Sequence, residues 1–206
     1  MFQTISWALF VIIFLGILVH MTVDLVKGNL RPKSFNKLHK FWWCGWSKNL
    51  SCLSKIKRIL VVISIISLLV LFLTAFSGRL ASDQLMSGYI LMIHVGTAPL
   101  FILCVVMLLI MWGYQCRLND KEWVQFLDLL RFKTTSSGKS LLIIKLTYWI
   151  SMVLSLPVSL SMLISMFTLF GTHGQEVLFS IHQYASLALV SSSMVHVYLL
   201  LRHQCK

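Results

Sequence analysis

Five long apolar runs dominate the sequence and restrict what the chain can fold into. They cover residues 5–23, 59–76, 85–112, 141–170 and 177–202. Each approaches or exceeds the roughly 20 residues that a helix needs to cross the hydrocarbon core of a bilayer. Because lipid offers the backbone no hydrogen-bond partners, an isolated run that crosses it must be helical. We therefore expect an all-α polytopic membrane protein with five transmembrane helices.

The composition and the charge distribution agree with this fold class. Hydrophobic residues make up 58% of the 206 residues and charged residues only 12%, and the mean hydropathy is +0.84. The net charge of +12 does not call for a nucleic-acid partner, since membrane proteins concentrate Lys and Arg in their cytoplasmic loops. All 18 of these residues except Arg79 fall in residues 27–58, in residues 117–145 or at the C-terminus. This pattern predicts an outside N-terminus and a cytoplasmic C-terminus.

Two regions are expected along the chain. Residues 1–58 hold the first transmembrane helix, which lacks the basic start of a signal peptide and is interpreted as retained. They also hold a basic, Trp-rich interfacial loop on the cytoplasmic side. Residues 59–206 hold the other four spanning helices, with a short amphipathic helix over residues 122–132. Pro157 is expected to kink the fourth spanning helix.

The last apolar run carries two histidines, His182 and His196. Ionisable residues inside the hydrocarbon layer are costly and usually functional. Their separation of 14 residues is close to four helical turns, so both imidazoles share one face, about 21 Å apart along the axis at ~1.5 Å per residue. This spacing suits two b haems stacked across a bilayer. The alternative is a pair of helix-packing histidines bonded to their neighbours.

Two further histidines lie within apolar runs. Given the predicted orientation, His94 shares the outer half of the membrane with His182, and His20 shares the inner half with His196. The four side chains therefore sort by depth into two pairs, as two bis-histidine haems require. Small residues near them could admit a flat cofactor. These are Gly88, Gly96, Ala185, Ser186, Ser192 and Ser193.

Other kinds of redox or metal site find little support. The five cysteines form neither a CxxC nor a CxxCH motif, which argues against a covalent c-type haem or an iron–sulfur cluster. A zinc site built from His39, Cys44 and Cys52 with Cys116 or Cys205 would match no standard ligand spacing. The sequence also lacks a Gly-rich phosphate loop, an HExxH motif and a nucleophile elbow.

Three motifs resemble one known family. They are LTAFSG, SGYILMIHVG and SIHQYASLALVSSSMVHVYLLLR, and they are similar to motifs in the cytochrome b (gamma) subunits of membrane-bound formate dehydrogenases and nickel–iron hydrogenases. The resemblance extends from Ile59 to the C-terminus. It implies a four-helix core that binds two b haems and exchanges electrons with a quinone. It also implies that His182 and His196 each ligate one haem, and that His94 is the partner of His182.

The chain departs from this family in two ways. The first core helix of the family carries a histidine near its cytoplasmic start, whereas the matching position here is near Ser64 and the whole run lacks histidine. The chain also has an extra N-terminal helix, whose His20 is predicted to ligate the inner haem with His196. Other possibilities are that the protein holds one haem only, or that His39 or a partner's residue supplies the missing ligand.

The expected function is that of a dihaem cytochrome b subunit in a respiratory oxidoreductase complex, not an enzyme alone. The expected partners are an iron–sulfur or multihaem cytochrome c subunit at the outer face and a quinone near Lys139, Lys145 and His196. The alternatives are a non-redox assembly or structural subunit, a single-haem b-type cytochrome, and a transporter with histidine proton relays. The transporter is disfavoured because the apolar runs show no inverted repeat and no interior Asp, Glu or Arg.

Overall fold

The structure, a computed structural model, describes residues 1–27, 52–82, 85–131, 139–167 and 170–205. Within these ranges the chain forms six helices. They are α1 (Phe2–Val26), α2 (Cys52–Ser82), α3 (Gly88–Trp112), α4 (Asp120–Leu130), α5 (Lys139–Ser165) and α6 (Thr172–Cys205). All except α4 are long and apolar enough to cross a membrane. The predicted fold class, all-α with five spanning helices, is confirmed.

Two helical hairpins form the centre of the bundle. Helix α2 packs along α3, and α5 packs along α6, over most of their lengths. The hairpins meet where α3 contacts α5, while α1 lies against α6 and α2. Helix α1 is therefore an additional helix on the outside of a four-helix core.

Aromatic packing holds α1 against α2. The ring of Phe10 meets the rings of Phe72 and Phe76 edge-on, with centroids 5.6 Å and 5.3 Å apart. Phe76 is buried, together with Leu187 and Val190 of α6. Because lipid is as apolar as these side chains, close packing and hydrogen bonds hold helices together in a membrane more than the hydrophobic effect does.

Hydrogen bonds fix the N-terminal part of α1. The side chains of Gln3 and Trp7 both donate to the carbonyl of Leu80 near the end of α2, each at 3.1 Å. This carbonyl lies in the last turn of α2, where helical carbonyls lack partners within the helix. Helix α1 thus satisfies a backbone group that would otherwise be left without a protein partner.

The helix ends differ from those predicted by hydropathy. Helix α2 begins at Cys52 instead of residue 59, so its first two turns carry Lys55 and Lys57. Helix α6 begins at Thr172, five residues before the last apolar run, and includes His173 as an exposed residue. A hydrophobic pattern marks only the part of a helix inside lipid, and polar residues can extend the helix beyond it.

A hydrogen bond from one side chain links the start of α6 to the end of α5. The amide of Gln175 donates to the carbonyl of Ser165, the last residue of α5, at 3.1 Å.

Pro157 lies inside α5, which continues as one helix through it. The Trp-rich loop and the candidate zinc ligands His39 and Cys44 lie outside the described residues.

The short helix α4 is joined to α5 by an ion pair. The ammonium of Lys145 donates to both carboxylate oxygens of Glu122, at 2.8 Å and 2.7 Å, and to the carbonyl of Arg117 at 3.1 Å. Glu122 also accepts from the backbone N–H of Asn119 and so caps α4. The hydrogen bond from Lys145, followed by the one from Asn119, holds the pKa of Glu122 below its ordinary value.

We predict that Glu122→Gln lowers the free energy of unfolding by about 1–2 kcal/mol at neutral pH, because a charge-assisted bond is lost and Lys145 is left unpaired. The folded pKa of Glu122 is lowered, so its contribution is full above the ordinary value of 4.5 and is lost as the pH falls through the folded value. Denaturant titration of the purified protein from pH 7 downwards measures both effects. The exposed Asp120→Asn is the matched control, and equal losses in the two variants would refute the prediction.

Candidate functional site

The structure brings the imidazole rings of His94 of α3 and His182 of α6 close together in a T-shaped arrangement. Their ring centroids are 6.4 Å apart and their planes lie at 81°. Among the described residues, α3 and α6 do not otherwise pack closely. A metal–imidazole bond is about 2 Å long and the ring centre lies about 1 Å behind the bonding nitrogen, so two imidazoles on opposite sides of one metal ion have centroids roughly 6 Å apart. The observed separation is that of two such ligands.

Helix α2 holds the imidazole of His94 in one tautomer. Its Nδ1 lies 2.9 Å from the hydroxyl of Thr74. That hydroxyl already donates its single proton to its own helix, at 2.8 Å to the carbonyl of Val70. It can therefore only accept from His94. This arrangement of hydrogen bonds corresponds to a neutral ring with its proton on Nδ1 and its lone pair on Nε2.

Helix α5 does the same for His182. Its Nδ1 lies 3.0 Å from the carbonyl of Val158 and 3.4 Å from the hydroxyl of Ser161. A carbonyl only accepts, so Nδ1 must again be the donor. Metal-bound histidines commonly donate their second ring nitrogen to a carbonyl or another acceptor in this way.

His196 lies on the same side of α6 as His182, as their spacing predicts. Its Nδ1 is 2.9 Å from the hydroxyl of Thr147 in α5, and this hydroxyl donates to the carbonyl of Ile143 at 3.0 Å. The ring of the buried Tyr148 lies beside it, with centroids 6.2 Å apart. Within the described ranges, no second histidine ring faces His196.

His20 of α1 has other partners. Its Nδ1 lies 2.6 Å from the hydroxyl of Tyr198 and 3.8 Å from a carboxylate oxygen of Asp24, and its side chain is 45% exposed. Tyr198 follows His196 by two residues, or about 200° around the helix at ~3.6 residues per turn. The structure therefore does not bring His20 and His196 together, and their joint ligation of a haem stays a prediction.

An ion pair between α1 and α6 was not anticipated from the sequence. The guanidinium of Arg202 donates through Nε and Nη2 to the two carboxylate oxygens of Asp24, which is 3% exposed. The pair joins the C-terminal ends of α1 and α6. The sequence held one signal for this pair. Asp24 and Arg202 each lie at the end of an apolar run, and both ends were predicted to lie on the same side of the membrane.

The small residues of α6 that were expected to border a cofactor have different surroundings. Ser192 shares a hydrogen bond of 2.9 Å with Ser151 and so packs α6 against α5. Ser186 donates to a carbonyl of its own helix, and Ala185 and Ser193 are partly buried. Contact with a cofactor stays a prediction for all four residues.

The two glycines near His94 lie in open surroundings. No atom lies within 4 Å of the place where a Cβ would stand on Gly88 or Gly96. Gly88 has a φ of +57° at the start of α3. This backbone conformation favours glycine whether or not a cofactor lies nearby. Gly96 lies two residues after His94 and so projects from a different face of the helix.

The described residues contain no group of three or more His, Cys, Asp or Glu side chains that could hold a metal ion. The arrangement at His94 and His182 is thus a two-histidine one, which is the ligand set of a bis-histidine haem. Of the residues expected near a quinone, Lys145 is bonded to Glu122 and Lys139 is the first residue of α5.

No family model, curated protein or solved structure matches the chain.

The ion pair between α1 and α6 gives a prediction on stability. Arg202→Met is expected to destabilise the protein by about 3 kcal/mol or more, because it removes the guanidinium that bonds both oxygens of the buried Asp24 carboxylate. The double variant Asp24→Leu/Arg202→Met should recover most of this loss. Unfolding titrations in detergent measure it, with the exposed Arg131→Met as control. A double variant at least as unstable as Arg202→Met would contradict the assignment.

Proposed function

We propose that this chain is a membrane-anchored cytochrome b subunit that binds haem between its spanning helices. It passes electrons across the membrane between a partner redox subunit and the quinone pool. The observation that carries the proposal is the pair of facing imidazoles, His94 and His182, separated by the distance of two ligands on one metal ion.

The hydrogen-bond requirements of these two side chains support a cofactor between them. Both rings donate from Nδ1, so each presents an Nε2 lone pair. Among the described residues no donor is bonded to either Nε2 atom. Unsatisfied polar atoms in an apolar interior cost free energy, and coordination of iron would satisfy both lone pairs at once. Haem supplies one-electron chemistry, while the chain holds and insulates it.

A second haem is proposed at His196. Its imidazole is held by α5 as that of His182 is, and it lies about 21 Å further along the same helix at ~1.5 Å per residue. Two haems at these positions would carry electrons between the membrane faces. The second ligand of this haem stays open: His20 is bonded to Tyr198, and His39 lies outside the described residues.

The partners follow from where electrons would enter and leave. An iron–sulfur or multihaem cytochrome c subunit would dock at the outer face, near the haem of His94 and His182. Quinone would react near the inner haem, in the region of Lys139, Lys145 and His196. The protein would lie in a bacterial-type cytoplasmic membrane with its N-terminus outside, as the basic loops predict.

A single-haem b-type cytochrome is the second candidate function. Tyr148 is 8% exposed, lies beside His196 and donates through its hydroxyl to the carbonyl of Leu108 in α3, at 3.3 Å. It occupies space between α5 and α3 in which an inner haem would need room. In a single-haem cytochrome, His196 would contribute to the packing of α6 on α5 and would not bind haem.

The absorption spectrum of the purified protein tests the proposal. We expect the reduced-minus-oxidised spectrum of a b-type haem in protein expressed with an adequate haem supply. Both His94→Ala and His182→Ala should lose the outer haem, because each removes one of its two axial ligands. His173→Ala, on the exposed first turn of α6, is the matched control. A wild-type protein without haem, or an unchanged spectrum in both variants, would refute the proposal and favour a non-redox assembly subunit.

Haem counted per polypeptide separates the two versions. Two haems are expected in the wild type and one in His196→Ala, with the spectrum of the outer haem retained. The prediction for His20 gives one haem in His20→Ala as well. Two haems in His20→Ala would mean that a residue other than His20 is the second ligand of the inner haem. One haem in the wild type would support the single-haem cytochrome.

A further inference from the structure

Three histidines of the bundle share one local arrangement. On each, Nδ1 of the imidazole lies against a hydroxyl of the neighbouring helix, and that hydroxyl lies within hydrogen-bond distance of the backbone carbonyl three residues before it. We call this arrangement the hydroxyl–carbonyl pair. The pairs are Thr74 with Leu71 at His94, Ser161 with Val158 at His182, and Thr147 with Ile144 at His196.

Each of the three hydroxyls is hydrogen-bonded to a carbonyl of its own helix. Thr74 and Thr147 donate to carbonyls of their own helices, at 2.8 Å and 3.0 Å. Ser161 donates to the carbonyl of Val158 at 3.0 Å. With its proton used in this way, each hydroxyl presents a lone pair to the facing imidazole. A β-hydroxyl bonded to the preceding turn thus becomes a fixed acceptor on the helix surface.

The pairs also occupy corresponding places in the two hairpins. Thr74 precedes His94 by 20 residues around the turn from α2 to α3, and Ser161 precedes His182 by 21 residues around the turn from α5 to α6. Each hairpin therefore supports one of the two facing rings from behind in the same way. The repeated geometry indicates a common task.

We propose that Thr74, Ser161 and Thr147 are positioning residues, which fix each imidazole as the Nδ1–H tautomer and turn the Nε2 lone pair towards the interior of the bundle. The identity of the bound group as haem rests on the function proposed above. The tautomer does not depend on that function, because it is inferred from the hydrogen bonds of the histidines.

The hydroxyl–carbonyl pair separates the histidines of the spanning helices into two kinds. His20 has none, because its partner is the hydroxyl of Tyr198, which can either donate or accept. By this criterion His196 belongs with His94 and His182 and is held ready as a ligand, while His20 is not.

The hydrogen bond at Nδ1 should also tune the haem. An N–H donated to an acceptor makes the opposite nitrogen a more basic ligand, and loss of such an outer contact typically weakens metal binding about 10–100-fold. A more basic ligand favours ferric over ferrous iron. Removing the acceptor should therefore raise the midpoint potential of the haem and weaken its retention.

The experiment compares Thr74→Val, which removes the acceptor at nearly constant volume, with Thr74→Ser, which keeps it. The control is Thr97→Val on α3, whose hydroxyl bonds only the carbonyl of Ile93 within its own helix. The first readout is the ¹⁵N shifts of His94 in haem-free protein labelled at histidine, assigned with His94→Gln. The second is the midpoint potential of the outer haem in loaded protein.

Wild type, Thr74→Ser and Thr97→Val should show His94 as the Nδ1–H tautomer, whereas Thr74→Val should shift its Nδ1 signal and raise the potential. Unchanged His94 signals in Thr74→Val, or equal changes in Thr97→Val, would overturn the proposal. If Thr74→Val does not fold, Thr147→Val and Thr147→Ser make the same comparison at His196. Protein that never binds haem would refute the proposed function, while the ¹⁵N shifts would still decide this inference.

Discussion

The imidazole of a histidine inside a bilayer has two nitrogens to satisfy, and this requirement organises the centre of the protein. Water cannot serve them there, so each nitrogen needs a partner from the chain or from a cofactor. Helices α2 and α5 supply the partner for Nδ1 through a threonine or serine hydroxyl and a nearby carbonyl. The rings of His94 and His182 then lie with their centroids 6.4 Å apart, between helices that do not otherwise pack closely.

The features fixed by hydropathy and helical period could be predicted from the sequence. Runs of apolar residues gave five spanning helices, and the spacing of His182 and His196 placed both on one face of their helix. In the structure this face meets α5. Sorting the histidines by depth paired His94 with His182. These inferences need only the rise and turn of a helix and a consistent orientation, which are properties of single elements.

Features that depend on how helices rotate against each other could not be predicted. Thr74 and Thr147 look like any other hydroxyl residue in an apolar run, and only the packing of α2 on α3 and of α5 on α6 shows what they face. The pairing of Asp24 with Arg202 required knowing that α1 docks on α6. The same docking decides that His20 meets Tyr198, which depth alone could not reveal.

The extra helix α1 is thus joined to the core near both of its ends. Aromatic rings of Phe10, Phe72 and Phe76 seat its N-terminal half, and the Asp24–Arg202 ion pair holds its C-terminal end. Both contacts lie on the outside of the four-helix core. A helix held there can brace α2 and α6 without entering the space between α3 and α6.

The most direct test of the central claim is a density map of the isolated protein at the gap between α3 and α6. The account predicts a flat, haem-sized density between His94 and His182, with each Nε2 about 2 Å from a central metal ion. It further predicts that both Nδ1 atoms stay bonded to α2 and α5. Two histidine rings in direct contact with nothing between them, in protein isolated with its native partners, would contradict the account.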